Sequence, residues 1–306
     1  MLIRKAIDSD REIVLDFCKN TFEWGDYIDR VWDSWINDPS GLLLVTETNA
    51  KNSPKGYPIA LSRISACPNN LAWIEGLRVN PDYRKQGVAT LLVKYMLNFG
   101  IKKGFNDASA IVSVQNTTSQ KMLEKQGFFK LQRFNYYNIN LEKFRYLENT
   151  DIKLQQEEFH VKIADYDDIL SLIEYLKDSL VFNETCKRYF DSWKFYIFQN
   201  NYYDLKSLIE NNKIFLITNG SNKIKGLMLL NNNSYHKPSI QVCYFDCIDI
   251  ELYSKIIKYL IYFYLKKKIY SNIQFYLSDI VDLTQNSEFY FFDDYEKFFI
   301  YNKILM

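Results

Sequence analysis

Leu77–Thr90 reads L-R-V-N-P-D-Y-R-K-Q-G-V-A-T, and this stretch decides how the chain is to be folded. It leaves a strand-like segment, turns at Asn80-Pro81, and enters a segment with apolar residues at helical spacing. Between them lies R-x-x-G-x-A, Arg84 to Ala89. A glycine there lets the backbone come close to a ligand, and a small residue two places on keeps the approach clear. A tight turn at a helix start aims several N–H groups at one point, and the positive end of the helix dipole adds to them. The reading is an anion cradle. Gln86, Gly87, Val88 and Ala89 face the anion through their backbone, Arg84 and Lys85 add charge-assisted bonds, and the Thr90 hydroxyl is a further donor.

The flanking residues read outward from this turn as alternating elements. Leu2–Ala6 is a strand, and Asp8–Asp10 supplies helix-start chemistry before a helix with Ile13, Val14, Phe17 and Cys18 on one face. Tyr27–Asn37 is a second helix with Ile28, Val31, Trp32 and Trp35 inward, broken by Asp38-Pro39-Ser40-Gly41. Leu42–Glu47, Tyr57–Ser65 and Ala72–Val79 are strands, the first two joined through Asn49–Gly56. Thr90–Lys103 is a helix expected to turn Leu91, Leu92, Tyr95 and Met96 inward, with Gly104 ending it. Ala110–Val114 (strand), Thr118–Gln126 (helix) and Phe129–Asn140 (strand) complete the order β-α-α-β-β-β-α-β-α-β.

A polar, weakly patterned stretch follows, and a linker is expected at 146–157 between domains 1–145 and 158–306. From Phe159 the pattern starts again. Phe159–Ile163, the helix Ile169–Leu176, the hairpin Lys213–Thr218/Lys223–Leu230 about Asn219-Gly220, Ser239–Cys247, the helix Ile250–Lys267, Ile273–Leu277 and Tyr295–Ile304 follow in turn. At an offset of about 165 residues these elements match the first half in order, a weak internal repeat. Phe128-Phe129 then falls opposite Phe291-Phe292. Two α/β domains also align coarsely without being copies, and that alternative stays open. In the cradle's place the second half has Cys247–Tyr253, without Gly or Arg and with Asp249 and Glu251, so one anion site is expected.

Composition narrows the function classes. The 306 residues carry 38 basic and 37 acidic side chains, a net charge of +1 that argues against nucleic acid as a partner. Apolar residues make up 47%, enough for a sizeable core, yet Lys258 interrupts Ile256–Leu265 and no membrane span is expected. Met1–Asp10 is charged, unlike a signal peptide. Five cysteines without a CxxC pair suit reduced thiols in a cytoplasm. His160 and His236 alone do not make a metal-ligand cluster, and no metal is expected.

Arg84–Ala89, preceded by V-x-P at Val79 and Pro81 and followed by Leu91 and Leu92, resembles the acetyl-CoA motif of the GNAT superfamily of N-acetyltransferases. Asn116-x-x-Ser119-x-x-Met122-Leu123-Glu124-Lys125-x-Gly127-Phe128 is similar to a second segment of that family, and the element order carries the likeness over about Met1–Asn140. The resemblance implies tandem α/β (α+β mixed) folds, each a mixed, mostly antiparallel sheet flanked by helices with a splayed strand pair. It implies acetyl-CoA as cosubstrate, its pantetheine arm meeting the backbone of Leu77, Arg78 and Val79, and Asn116 and Ser119 beside it. Direct attack by an amine in a ternary complex is the family's usual chemistry. Glu75 stands where many members carry a catalytic carboxylate, and Leu123 stands where the family's general acid, a tyrosine, is expected. Tyr136 and Tyr137 are the available substitutes.

Acceptors of the family meet the first two helices and the strand bearing Glu75. Glu23, Trp24, Asp26 and Tyr27, with Trp73, suggest an acidic, aromatic-lined mouth for an amino-bearing small molecule. A solvated charged face over core tryptophans is the alternative, and the preferred one for Trp32 and Trp35. G-D-Y-I at Gly25–Ile28, W-x-x-D-P at Trp35–Pro39 and E-G-L-R-V-x-P at Glu75–Pro81 also resemble two-domain enzymes of the histidine N-acetyltransferase type, implying an amino acid or small amine acceptor. Acetylation of protein lysines or N-termini, and a non-catalytic acyl-CoA sensor, are the other readings. The expected oligomeric state is monomer or homodimer.

Overall fold

The computed structural model describes residues 1–23, 25–48, 56–147, 159–211, 213–233, 238–283 and 294–305. The first elements are β1 (Leu2–Lys5), α1 (Arg11–Cys18), α2 (Ile28–Ile36), β2 (Gly41–Glu47), β3 (Pro58–Cys67), β4 (Leu71–Val79), α3 (Val88–Lys103), β5 (Asp107–Ser113), α4 (Thr117–Lys125) and β6 (Phe129–Asn140). Then come β7 (His160–Ile163), α5 (Ile169–Asp178), α6 (Leu180–Glu184), β8 (Arg188–Asp191), β9 (Lys194–Ile197), α7 (Tyr202–Glu210), β10 (Ile214–Thr218), β11 (Ile224–Asn233), β12 (Ser239–Cys247), α8 (Ile250–Lys267), β13 (Asn272–Ser278) and β14 (Asp294–Ile304). Contacts divide the chain into Met1–Leu131 with Phe299–Met306, and Gln132–Phe298. From residue 148 the expected linker lies outside the described residues, as do Phe291-Phe292 and most of Asn49–Gly56.

In the first unit β1, β2, β3 and β4 are successive antiparallel neighbours, and β5 joins β4 in parallel. Alternation along the strands sorts the side chains to two faces. Leu43, Val45 and Leu61 pack under α1 and α2 with Val14, Cys18, Ile28, Val31, Trp32 and Trp35. Leu42, Leu44, Ala60, Ile64, Ala72 and Ile74 pack on the other face with Val88, Leu92, Val93, Met96 and Leu97 of α3. Leu91 and Tyr95, expected inward, are instead 39% and 42% exposed. They sit one residue from the buried stripe, a rotation of about 100° round the helix. On the far side of β5 lies the end of β14. Tyr301 and Leu305 enter this core, and the Leu305 N–H donates to Asn106 O at 2.8 Å.

The second unit repeats the plan. β7, β10, β11 and β12 are antiparallel neighbours, and β13 joins β12 in parallel. The strand beyond β13 is β6, antiparallel to it with Phe275 opposite Tyr137. The last strand of each repeat therefore completes the other repeat's sheet. Tyr137, Phe245 and Phe275 are buried with Ile256, Ile257 and Leu260 of α8. The hairpin β8–β9, which no expectation anticipated, brings Phe190 to 4.2 Å from Phe134 and stacks it 5.4 Å from Tyr276, ring centre to ring centre. No helix among the described residues is long and apolar enough to cross a membrane.

Candidate active site

The parallel pair β4–β5 is joined only at Leu71–Asp107, Ala72–Ala108 and Trp73–Ser109, although β4 continues to Val79 and β5 to Ser113. From Ile74 onward the two strands part and leave a wedge. The cause lies in β4. Arg63 faces Glu75 and Leu61 faces Arg78, so Gly76 and Leu77 together oppose the single residue Ser62. That is a β-bulge, which bends its strand and re-aims its backbone. Gly76 has φ +67°, and a Cβ there would lie 2.6 Å from the Trp35 ring, so only glycine fits.

The turn 80–87 follows at the end of β4 and leads into α3. Asn80 Oδ1 accepts from Asp82 N at 3.1 Å, Arg84 Nε donates to Val79 O at 3.2 Å, and Gln86 Nε2 donates to Asp82 O at 3.1 Å. Gly87, at φ +82°, begins α3 with no side-chain cap, and an added Cβ would meet nothing within 4 Å. The first-turn N–H groups of a helix have no partner within it. Residues 84–87 are exposed, Val88 is buried, and Ala89 and Thr90 are half-buried. At the start of α4, Asn116 Oδ1 accepts from Ser119 N at 3.0 Å, so both residues are joined in a cap beside the end of β5. In the second unit the corresponding helix start is closed, since Asp249 Oδ1 accepts from Leu252 N at 2.8 Å in α8. A carboxylate occupies there the place an anion would take.

On the α1–α2 face two arginines, Arg63 buried and Arg78 half-buried, organise the carboxylates. Arg63, 3% exposed, bonds Glu75 Oε1 and Ser65 Oγ through Nη1 and Asp38 Oδ2 through Nη2, and its guanidinium lies 5.2 Å from the Trp35 ring centre. Burial pushes the Asp38 carboxyl up, but the Ser40 hydroxyl and N–H and the Arg63 charge outweigh it and hold it below its ordinary value. Arg78 Nε and Nη2 bond the Asp26 carboxylate at 2.6 and 3.2 Å. The Arg78 guanidinium also lies 5.2 Å from the Phe22 ring and 5.1 Å from the Tyr27 ring. Burial works against its charge, yet Tyr27, Asp26 and Cys18 raise its pKa above the ordinary value. Burial likewise pushes the Tyr27 phenol up.

Of the expected site residues, Leu77–Val79 edge the wedge and Arg84–Thr90 form its end. Asp26 is buried and bound to Arg78 and to the first turn of α2, where its Oδ1 accepts from Tyr27 N at 2.7 Å and Ile28 N at 3.2 Å. Glu23 is exposed, Tyr27 half-buried and Trp73 buried, and Trp24 lies outside the described residues. Trp32 and Trp35 are core. Leu123 is buried, 3% exposed. Tyr136 and Tyr137 belong to the second unit, where Tyr136 packs on Trp193 and the Tyr137 hydroxyl accepts from Leu283 N. Sequence reasoning missed Asp38 and Arg63, and it missed the bulge. A glycine inside a strand pattern, Glu75-Gly76, is the signal that reveals the last. No group of three or more His, Cys, Asp or Glu among the described residues is placed to hold a metal.

Residues 11–128 match the Acetyltransferase (GNAT) family. The similarity to that family lies in this stretch of the first unit. Aminoglycoside N(6')-acetyltransferases type 1 of Salmonella typhimurium and Salmonella enteritidis are each 31% identical over 75 residues, 24% of this chain. The match spans about half of those relatives' length, 52%. A GCN5-related N-acetyltransferase from Sphaerobacter thermophilus shares the fold with a TM-score of 0.65 at 11% identity, covering 99% of this chain and 95% of that one. A tandem GNAT protein from the clavulanic acid biosynthesis pathway has a TM-score of 0.56 at 9% identity, covering 100% and 98%. Over both units the chain thus shares its fold with a tandem GNAT protein.

Proposed function

We propose that the first unit is an N-acetyltransferase that moves acetyl from acetyl-CoA to a primary amine of a small molecule. The observation that carries the reading is the wedge opened by the Gly76 bulge and ending at the uncapped α3 start. Its strand edge offers backbone partners to an extended pantetheine arm, and Gln86–Ala89 with Arg84 and Lys85 suit a pyrophosphate. A neutral amine attacks the thioester carbonyl, forming a C–N bond while the C–S bond breaks. Glu75 takes the amine proton, directly or through water. A backbone N–H of β4 beyond the bulge meets the oxyanion. The thiolate leaves unaided, because its conjugate acid is no weaker than a free thiol. Arg63 neutralises one of the two carboxylates Asp38 and Glu75, so the face retains negative charge and favours a cationic acceptor. The amine acetylation in the name of the Salmonella relatives supports the same chemistry.

A second reading, an acyl-CoA sensor without turnover, is favoured by Leu123, whose buried side chain provides no acid. Release of coenzyme A is to be measured with amino acids, polyamines, aminoglycosides and peptides. Turnover on a small amine supports the enzyme, turnover on peptides alone moves the acceptor to proteins, and calorimetric binding without turnover leaves the sensor. Gly87→Glu is expected to abolish acetyl-CoA binding in the same calorimeter, and retained affinity refutes the cradle.

A further inference from the structure

Arg63 is an unusual residue for the middle of a sheet. It is 3% exposed, its Nε is buried without a hydrogen-bond partner among the described residues, and it sits on β3 between β2 and β4. An isolated buried guanidinium is costly, and breaking a buried ion pair is more so. Its surroundings fix it from several sides. The Trp35 ring lies 5.2 Å from the guanidinium. Gly41 leaves room for it, since a Cβ there would stand 2.8 Å from Nη2. Nη1 is held by Ser65 Oγ at 3.1 Å and turned to Glu75, and Nη2 is turned to Asp38. Glu75 is the residue just before the bulge, and Trp35, which covers Arg63, also fills the space beside Gly76.

From this convergence we infer that Arg63 is a positioning residue, which holds the Glu75 carboxylate in one orientation at the bulge. Asp38 is its counterweight: it binds the other amino group of the fork and keeps the guanidinium from following Glu75 when substrate arrives. A carboxylate on a long flexible side chain is useful as a base only in a narrow range of directions, and a planar guanidinium fork restricts direction better than a point charge does. Gly41 and Trp35 then serve the reaction indirectly, by fixing the fork. The inference rests on the reading of Glu75 as the base.

A double-mutant cycle tests it on the full chain, with the best acceptor from the coenzyme A screen. Arg63→Met is expected to lower kcat about 10- to 100-fold while the acetyl-CoA KM changes little. In a Glu75→Gln background the same change is expected to cost nothing further, because there is no carboxylate left to orient. Arg63→Lys, which keeps charge but not the fork, restores only part of kcat. Gly41→Ala keeps every charge and presses on Nη2, and it carries the test if Arg63→Met does not fold. Losses that multiply in the Glu75→Gln background overturn the positioning role and leave the base role standing. Full kcat in Glu75→Gln itself removes the base role and the inference with it.

Discussion

Single residues fix the shape of the wedge between β4 and β5. Gly76 and Gly87 both have positive φ, but only Gly76 has a wall beside it. Gly76→Ala combines left-handed strain with a clash on Trp35 and is expected to cost about 2–4 kcal/mol. Gly87→Ala carries the strain alone, about 1 kcal/mol. Urea denaturation of the two variants side by side checks the order, and equal losses refute the bulge argument. Gly87 as the start of α3 was readable from its motif. The ion pairs of Arg63 were not, because its partners stand 25 and 12 residues away, in the turn before β2 and on β4. Asp26 illustrates the converse. Its acidity was plain in the sequence, but its burial against Arg78 depends on a contact 52 residues distant.

Elements with long periodic patterns were legible, and short ones were not. α2, β12 and α8 each follow a clear apolar rhythm, and the observed bounds of β12 and α8 match the expected ones. β8 and β9 are four residues each, too short to show a period, and they depend on Phe190 packing against Phe134 and Tyr276. Strand order within a sheet is also invisible to periodicity, and so β14 beside β5 was not foreseen. Its tip is tied down by Asn302, which donates to Asp107 Oδ1 at 3.1 Å, and by Tyr301, which bonds Glu124 at 3.0 Å. Leu305, 8% exposed, lies 3.0 Å from the position of a Cβ on Gly100 of α3. Leu305→Ala is expected to destabilise the first unit by about 2–4 kcal/mol. The fall is to be read as a lower melting temperature and as faster amide exchange in α3. Unchanged exchange in α3 overturns it.

At the scale of the whole molecule, proton linkage offers a test that involves both units. Burial pushes the Cys18 thiol up to about 12, aided by Asp26 and opposed by Arg78. Burial also pushes the Tyr189 phenol up to about 12, aided by Asp191, Cys243 and Asp204. An unfolded thiol loses its proton near pH 8.5 and an unfolded phenol near about pH 10. Between those values and about pH 12 the unfolded chain therefore binds fewer protons than the folded one, and stability falls as pH rises. The urea midpoint should drop steadily from pH 8.5 to 11. Cys18→Ala should flatten the early part of that drop, and an identical slope in this variant removes Cys18 from the account.

The exchange of last strands has a consequence for biosynthesis. Domains usually fold in the order in which they leave the ribosome. Here residues 1–131 emerge first but lack Tyr301 and Leu305, which close their core. The first unit must wait, unfinished, until the ribosome has passed residue 305. A message cut short anywhere in the second half then yields a first unit without its closing strand, and ribosomal stalling there exposes the α3 face to chaperones.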